Sequence, residues 1–270
     1  MTESKGERLD AYLVAAGYAG GRDKAKELVA SGQVLVNGTP VTKAAYRVAP
    51  TDTVECRAPR EKYVGRGGLK LERAIEAARL TLTDAVAMDV GASTGGFTDC
   101  MLQAGAAHVY AVDVGHDQLH PALRADPRVT VLEGTDVRSD RLRDAVAAGS
   151  VTFCSVDVSF VSLQTVLPSI LPFLAGDATL VCLIKPQFEA GRAAIGKRGV
   201  VKDRKVHKRV LAEQLALFAS LHWTPAWLGH SPITGGEGNI EYLAVLRPAA
   251  GEMPLIDAAA VVDAAFTALT

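Results

Sequence analysis

Ala87-Met88-Asp89-Val90-Gly91-Ala92-Ser93-Thr94-Gly95-Gly96-Phe97 is an apolar run that ends in an acid and drops at once into a glycine-rich turn. Glycine has no Cβ, so the backbone there can turn tightly and approach a ligand, while the small Ala92 and Ser93 leave room above the strand end. The dinucleotide fingerprint is Gly-x-Gly-x-x-Gly, whereas here Gly91 is followed by three residues and then Gly95-Gly96, with an acid two residues before the first glycine. That order favours S-adenosylmethionine over a pyrophosphate. A second acid, Asp113, closes the next apolar run, Val109-Tyr110-Ala111-Val112, at about the distance at which a ribose-binding carboxylate follows a glycine loop. Gly134-Thr135-Asp136-Val137 follows a third run, Val129 to Leu132. A glycine turn alone is an ordinary β–α corner. Joined to Asp113 and Asp136 it predicts a nucleoside-binding α/β domain.

At 270 residues, 49% of them hydrophobic, the chain can bury one substantial core and a smaller module. A net charge of −1 hides an uneven spread: residues 1–79 hold 14 Lys/Arg against 10 Asp/Glu, and the remainder 15 against 20. Between Lys185 and Arg209, nine cations (Lys185, Arg192, Lys197, Arg198, Lys202, Arg204, Lys205, Lys208 and Arg209) face only Glu189 and Asp203. A charge run is ordinarily a solvated face; this one also suits an anionic partner. Cys56, Cys100, Cys154 and Cys182 form no Cys-x-x-Cys pair, so neither a zinc site nor a disulfide scaffold is indicated, and buried thiols in a reducing compartment fit best. His116 and His120 are four apart, but Pro121 follows and no acid–histidine motif accompanies them, so they read as surface histidines and no metal is expected. No signal peptide opens the chain, and apolar stretches such as Ala178 to Ile184 fall far below the roughly 20 residues of a membrane span. The expectation is a soluble, cytoplasmic protein without membrane contact.

Residues 8–56 read as a unit with its own start and stop. Leu9, Leu13 and Val14 give one apolar helix face ending near Gly17. Arg22 to Ala30 predicts a second helix, with Ala25, Leu28 and Val29 inward and Arg22, Lys24 and Lys26 outward. Val34-Leu35-Val36, the turn signal Asn37-Gly38 and Val41 predict a hairpin, and Thr53 to Cys56 a closing strand. The pattern resembles the RNA-binding fold named for ribosomal protein S4, through Arg8-Leu9-Asp10 and Gly21-Arg22-Asp23-Lys24-Ala25-Lys26. Such modules dock on folded RNA through phosphates and shape; a basic dimerisation domain is the alternative.

A linker, Arg57 to Lys62, leads into Gly65-Arg66-Gly67-Gly68-Leu69-Lys70, a glycine-punctuated entry to a helix. Strand-like runs then alternate with helical ones. The strands are Ala85–Val90, Val109–Val112, Val129–Leu132, Phe153–Val156, Thr179–Ile184, Trp227–Gly229 and Tyr242–Leu246; the helices include Phe97–Gln103, Leu142–Ala147 and Val206–Leu221. The fold class is therefore α/β, a doubly wound, mostly parallel Rossmann-like sheet, preceded by the small α+β module. The boundaries are 1–58 for the module, 59–64 for the linker and 65–270 for the sheet domain. Chemistry belongs at the carboxyl ends of the strands. Asp157 and Lys185 end strands there, Glu241 follows the glycine-rich Gly235 to Asn239, and Lys70 lies just past the glycines of the helix entry. A lysine closing an apolar strand is costly to bury unless paired or deprotonated, which marks Lys185 for function.

Lys70, Asp157, Lys185 and Glu241 resemble the Lys-Asp-Lys-Glu tetrad of the FtsJ-like ribose 2′-O-methyltransferases. Arg-Gly-Gly-Leu-Lys-Leu, Val-Asp-Val-Ser-Phe-Val-Ser-Leu, Lys-Pro-Gln-Phe-Glu and Gly-Asn-Ile-Glu-Tyr, behind an S4-like module, resemble the TlyA family of ribosomal RNA methyltransferases, also called haemolysins. One departure is in the linker, where Glu61-Lys62-Tyr63-Val64 stands in place of the Arg-Ala-Trp-Val of some members. The resemblance implies transfer of the sulfonium methyl of S-adenosyl-L-methionine to the 2′-hydroxyl of a cytidine in ribosomal RNA, within ribosomal subunits; no obligate protein partner is evident in the sequence. Its candidate catalytic residues here are Lys70, Asp157, Lys185 and Glu241. Lys185 either accepts the hydroxyl proton or stays charged and positions the oxygen. Candidate cofactor residues are Asp89, Gly91, Ala92, Ser93, Gly95, Gly96, Phe97, Asp113, Val114, Asp136 and Val137. Arg8, Arg22, Lys24, Arg66 and Arg198 are candidates for RNA. The rival readings are an RNA base methyltransferase, which for carbon-5 chemistry would need a cysteine nucleophile, a non-catalytic RNA-binding protein called a haemolysin, and a nicotinamide oxidoreductase, whose fingerprint is absent.

Overall fold

The computed structural model describes residues 6–58, 61–196, 198–249 and 256–270, and the chain divides between Gly65 and Arg66 into two units. Pro59 and Arg60 of the linker and Lys197 of the basic segment lie outside the described residues.

In the first unit the elements run β1 (Glu7–Arg8), α1 (Leu9–Ala15), α2 (Arg22–Ala30), β2 (Val34–Val36), β3 (Thr39–Pro40), β4 (Arg47–Val48) and β5 (Val54–Cys56). Asn37 (φ 52°) and Gly38 (φ 78°) take the two left-handed positions of the turn between β2 and β3, the conformation that Asn-Gly is suited to adopt. Strand β5 pairs with the other edge of β2, giving the antiparallel order β3-β2-β5. Val41 lies just past β3 but still donates to Val34 O. The β1–β4 pair was not expected, because a two-residue strand is too short to show an alternating pattern. Leu9, Leu13, Ala25, Val29, Val34 and Val36 form the core, with Val14 packed at its margin.

The second unit holds α3 (Gly67–Ala77), β6 (Val86–Val90), α4 (Gly96–Gln103), β7 (His108–Val112), α5 (Pro121–Arg124), β8 (Val129–Leu132), α6 (Asp140–Ala145) and β9 (Val151–Val156). It continues with α7 (Leu163–Ile170), β10 (Leu174–Ile184), α8 (Pro186–Glu189), α9 (Arg204–Ser220), β11 (Trp223–His230), β12 (Tyr242–Pro248) and α10 (Ala258–Leu269). Its seven strands stand in the order β8-β7-β6-β9-β10-β12-β11. The first five are parallel, and β12 runs antiparallel to both β10 and β11. Strands covered on both faces by helices read as continuous apolar runs, and Ala178 to Ile184 of β10 is buried without interruption. The chain starts in the middle at β6, walks outward through β7 and β8, and returns to β9 on the other side. The crevice of this switch point therefore opens above the ends of β6 and β9, at Gly91 and Asp157. Helix α6 ends at Ala145, two residues before the expected Ala147, because Val146 turns extended and is buried in the core. Among the described residues no helix is long and apolar enough to cross a membrane.

Candidate active site

The ends of β6 and β9 are tied together by Asp157 N, which donates to Val90 O at 2.8 Å. Gly91 (φ 88°) follows, and a Cβ there would sit 2.3 Å from Asp157 O, so only glycine lets the two strand ends approach this closely. Asp113, at the end of β7, accepts from Ser93 N through Oδ2 and from Gly115 N through Oδ1, both at 2.7 Å. Its carboxylate thus clasps the glycine turn to the neighbouring loop. Of the predicted cofactor residues, Gly91, Ser93, Asp113, Val114, Asp136 and Val137 line a cavity of about 520 Å³. Ala92, Gly96 and Phe97 line an adjoining cleft of about 230 Å³, together with Arg66 and Lys70 and again with Gly91 and Ser93. Helices α3 and α4 both start at this cleft without a side-chain cap.

Two predicted residues lie on neither wall. Gly95 is the left-handed residue (φ 96°) that precedes α4. Asp89 is 0% exposed, accepting from Thr98 Oγ1 at 2.7 Å and Ser155 Oγ at 3.0 Å. Burial pushes its carboxyl up to about 7 against the pull of those two hydroxyls. Asp89, expected among the cofactor residues, packs beneath the turn and joins β6 to α4 and β9. Asp136 is on the cavity wall, but Arg138 binds it through N, Nε and Nη2 at 2.6–2.9 Å and holds it down to about 2.

Sequence reasoning missed Glu133, at the end of β8. Its carboxylate accepts from the backbone of Asp117, Gln118 and Leu119 and from Arg124 Nη2, at 2.6–3.0 Å. Burial opposes its ionisation, but the Leu119 N–H, the Arg124 guanidinium and the other two N–H groups outweigh it and hold the carboxyl down to about 2. The loop so pinned supplies Gly115 and Gln118 to the 520 Å³ cavity.

The four candidate catalytic residues meet where the clefts join. Lys70 Nζ donates to Glu241 Oε2 at 2.6 Å, and Lys185 Nζ lies 2.6 Å from Asp157 Oδ1 and donates to Ser159 Oγ at 2.9 Å. Lys70, Lys185 and Glu241 are 9%, 8% and 2% exposed. Lys70 stands in the first turn of α3, where the helix dipole disfavours a cation, so Glu241 offsets both burial and dipole. Asp157 lines the 520 and 230 Å³ cavities. Lys70, Lys185 and Glu241 line a third, open cavity of about 1010 Å³. Phe160, part of the Val156 to Leu163 motif but given no role by the sequence, stands between the first and third cavities, 92% exposed and left-handed (φ 64°).

Of the predicted RNA residues, Arg8, Arg22 and Lys24 belong to the first unit, and Arg66 and Arg198 to the second. Arg8 binds Asp10 through Nε and Nη2, and Arg22 Nη2 reaches both Asp10 oxygens, at 2.9–3.1 Å. Asp10 is 0% exposed, and the Arg8 hydrogen bond, with that of Arg22, holds it far below the usual carboxylate range. Both arginines therefore serve the fold with one edge, although their side chains remain 39% and 55% exposed. Lys24 pairs with Glu27 on the surface, Arg66 lines the 230 Å³ cleft, and Arg198 is exposed. His120 Nδ1 accepts from Ala122 N at the start of α5.

The family profile described as FtsJ-like methyltransferase matches residues 63–247, and that of the S4 domain residues 7–54. The 16S/23S rRNA (cytidine-2′-O)-methyltransferase TlyA of Mycobacterium tuberculosis (strain ATCC 25618 / H37Rv) is 41% identical over 241 residues, 89% of each chain. The chain belongs to the TlyA family of FtsJ-like methyltransferases. A solved structure from Streptococcus thermophilus, named as a candidate hemolysin, has a TM-score of 0.74 and 38% identity over 98% of this chain and 97% of that one. An S-adenosylmethionine-dependent methyltransferase from Mesorhizobium loti shares the fold, with a TM-score of 0.50 and 15% identity over 68% of this chain and 100% of that one. This TlyA-family chain is thus an S-adenosylmethionine-dependent methyltransferase carrying an S4 domain.

Proposed function

We propose that the protein methylates the 2′-hydroxyl of a cytidine in ribosomal RNA, presented in a ribosomal subunit. One observation carries this reading: two lysine–carboxylate pairs, Lys70–Glu241 buried and Lys185–Asp157 partly so, meet where a nucleoside-sized cavity joins a larger one. The cavity of about 520 Å³ fits the cofactor's nucleoside, with Val114 and Val137 as apolar walls for the adenine and Asp113 for the ribose hydroxyls. In the smaller cleft, Arg66 and the uncapped starts of α3 and α4 suit the carboxylate of its amino-acid end. When bound, the cofactor supplies an electrophilic methyl group on a sulfonium.

The chain's own residues do the rest. Lys185, entering the step as the neutral amine, meets the 2′-hydroxyl from the third cavity, aligns its oxygen, and receives its proton as the oxygen–carbon bond forms and the carbon–sulfur bond breaks, that electron pair staying on sulfur. Asp157 and Glu241 keep the two lysines in place, and Lys70 adds positive charge beside the developing alkoxide. Phe160, with its ring 5.0 Å from that of Phe188, offers a face on which an unstacked base can lie. The test is methyl transfer from labelled S-adenosylmethionine to unmethylated ribosomal subunits, mapped by resistance of the modified linkage to alkaline cleavage. Lys185→Ala is expected to lose about 10²-fold or more of the rate while still binding cofactor. Label in a base, or an unimpaired Lys185→Ala, would overturn the reading.

A further inference from the structure

Asp157 attracts Lys185 but gives its ammonium no direction. The 2.6 Å approach of Nζ to Asp157 Oδ1 lies off the axis of a hydrogen bond, and that buried oxygen has no donor among the described residues. The directed contact of Lys185 is with Ser159, whose Oγ accepts from Nζ at 2.9 Å. Coulomb attraction depends on distance alone, whereas a hydrogen bond weakens steeply away from its axis. A further side of Lys185 is covered by Phe188, its ring centroid 5.8 Å from Nζ. Charge is therefore supplied by Asp157 and angle by Ser159. Ser159 also lies on the walls of both the 520 and the 1010 Å³ cavities, which places its hydroxyl where donor and acceptor of the methyl group must meet.

We propose that Ser159 is a positioning residue for methyl transfer, its hydroxyl setting the angle at which Lys185 meets the target oxygen. This rests on the reading of Lys185 as the residue that handles the 2′-hydroxyl. The Ser159 oxygen accepts an N–H from the neutral amine and from the ammonium alike, so one contact holds Lys185 before and after the proton arrives and leaves the amine lone pair free to take that proton.

The experiment compares Ser159→Ala, Ser159→Thr and Lys185→Ala in the full chain, with labelled S-adenosylmethionine and unmethylated ribosomal subunits. For Ser159→Ala, kcat is expected to fall about 10- to 100-fold, with the KM for RNA and the Kd for cofactor within about twofold of wild type. Ser159→Thr, which keeps the hydroxyl, is expected to recover to within about threefold of the wild-type kcat. A wild-type kcat in Ser159→Ala beside an inactive Lys185→Ala would overturn the proposal and leave the role of Lys185 standing. A loss confined to cofactor Kd would make Ser159 a plain wall residue, and a threonine variant as slow as the alanine one would show that the hydroxyl is not what matters; either overturns the proposal. Full activity in Lys185→Ala would remove the reading beneath it as well.

Discussion

Asp10 and Asp89 are both fully buried carboxylates, one in each unit, and they are driven in opposite directions. Asp10 faces two guanidiniums and is held far below the usual range, whereas Asp89 faces two hydroxyls and is pushed up to about 7. Asp89 lies deep in its unit and Asp10 shallow in its own, so desolvation and the charge of the partner together drive them apart. Glu241 is a third case, 2% exposed and matched by one lysine that is itself nearly buried. In the first unit the cations stay half outside and the acid anchors them. In the second, acid and cation are buried together beside a cavity, an arrangement with little to offer stability and much to offer chemistry.

Removing the cation from the third case tests the comparison most severely. Lys70→Met leaves Glu241 facing, among the described residues, only the Gln187 amide at 3.3 Å and is expected to cost about 3 to 5 kcal/mol in urea unfolding. Replacing Glu241 by leucine in the same chain should restore most of that stability with methyl transfer still lost. A single variant as stable as wild type would show that Glu241 does not depend on its cation.

Asp10→Asn is expected to cost about 1.5 to 3 kcal/mol in the same measurement, with cofactor affinity unchanged. The Asp10 carboxyl lies below its ordinary value, so its stabilisation is present above about pH 4 and is lost as pH falls further. Asp89 carries the reverse sign. Its carboxyl is raised, so its contribution is full below about pH 4 and is lost as pH rises through about 7. Between about pH 6 and about pH 8 this group should remove about 1 kcal/mol of stability, a slope that Asp89→Asn abolishes. Equal slopes in the two chains would break the contrast.

The smallest expected effect is at Glu133, whose carboxylate pins the loop supplying Gly115 and Gln118. Glu133→Gln should weaken cofactor binding about fivefold by calorimetry, the equivalent of about 1 kcal/mol. An unchanged affinity would show that the loop keeps its shape without the charge.

Much of the sheet was legible in the chain because parallel strands covered on both faces are mostly apolar, as Leu180 to Ile184 is throughout. Their outer ends ran further than expected, as β10 does back to Leu174, because polar residues such as Asp177 there break the apolar pattern. The glycine turn was legible for a similar reason: a strand end at Gly91 that must pass within reach of another backbone tolerates no Cβ.

Ser159 and Phe160 were legible only as members of the Val156 to Leu163 motif, without a role, and Glu133 not at all, since an exposed serine or phenylalanine or a strand-end acid has nothing local that gives it one. Arg8 and Arg22 looked free for RNA because nothing local says that Asp10, two residues from the one and twelve from the other, is fully buried between them. Depth is likewise invisible in Asp89, two residues before a cavity-lining glycine and yet beneath the floor. By itself, then, the sequence determined the S4 module, the order of strands and helices and the residue types at the strand ends, all of which follow from short-range pattern. Only the tertiary structure decided which lysine meets which carboxylate, across 171 residues for Lys70 and Glu241, and which acids face water, hydroxyl or cation. Those outcomes depend on packing and on the local dielectric, which no stretch of sequence carries alone.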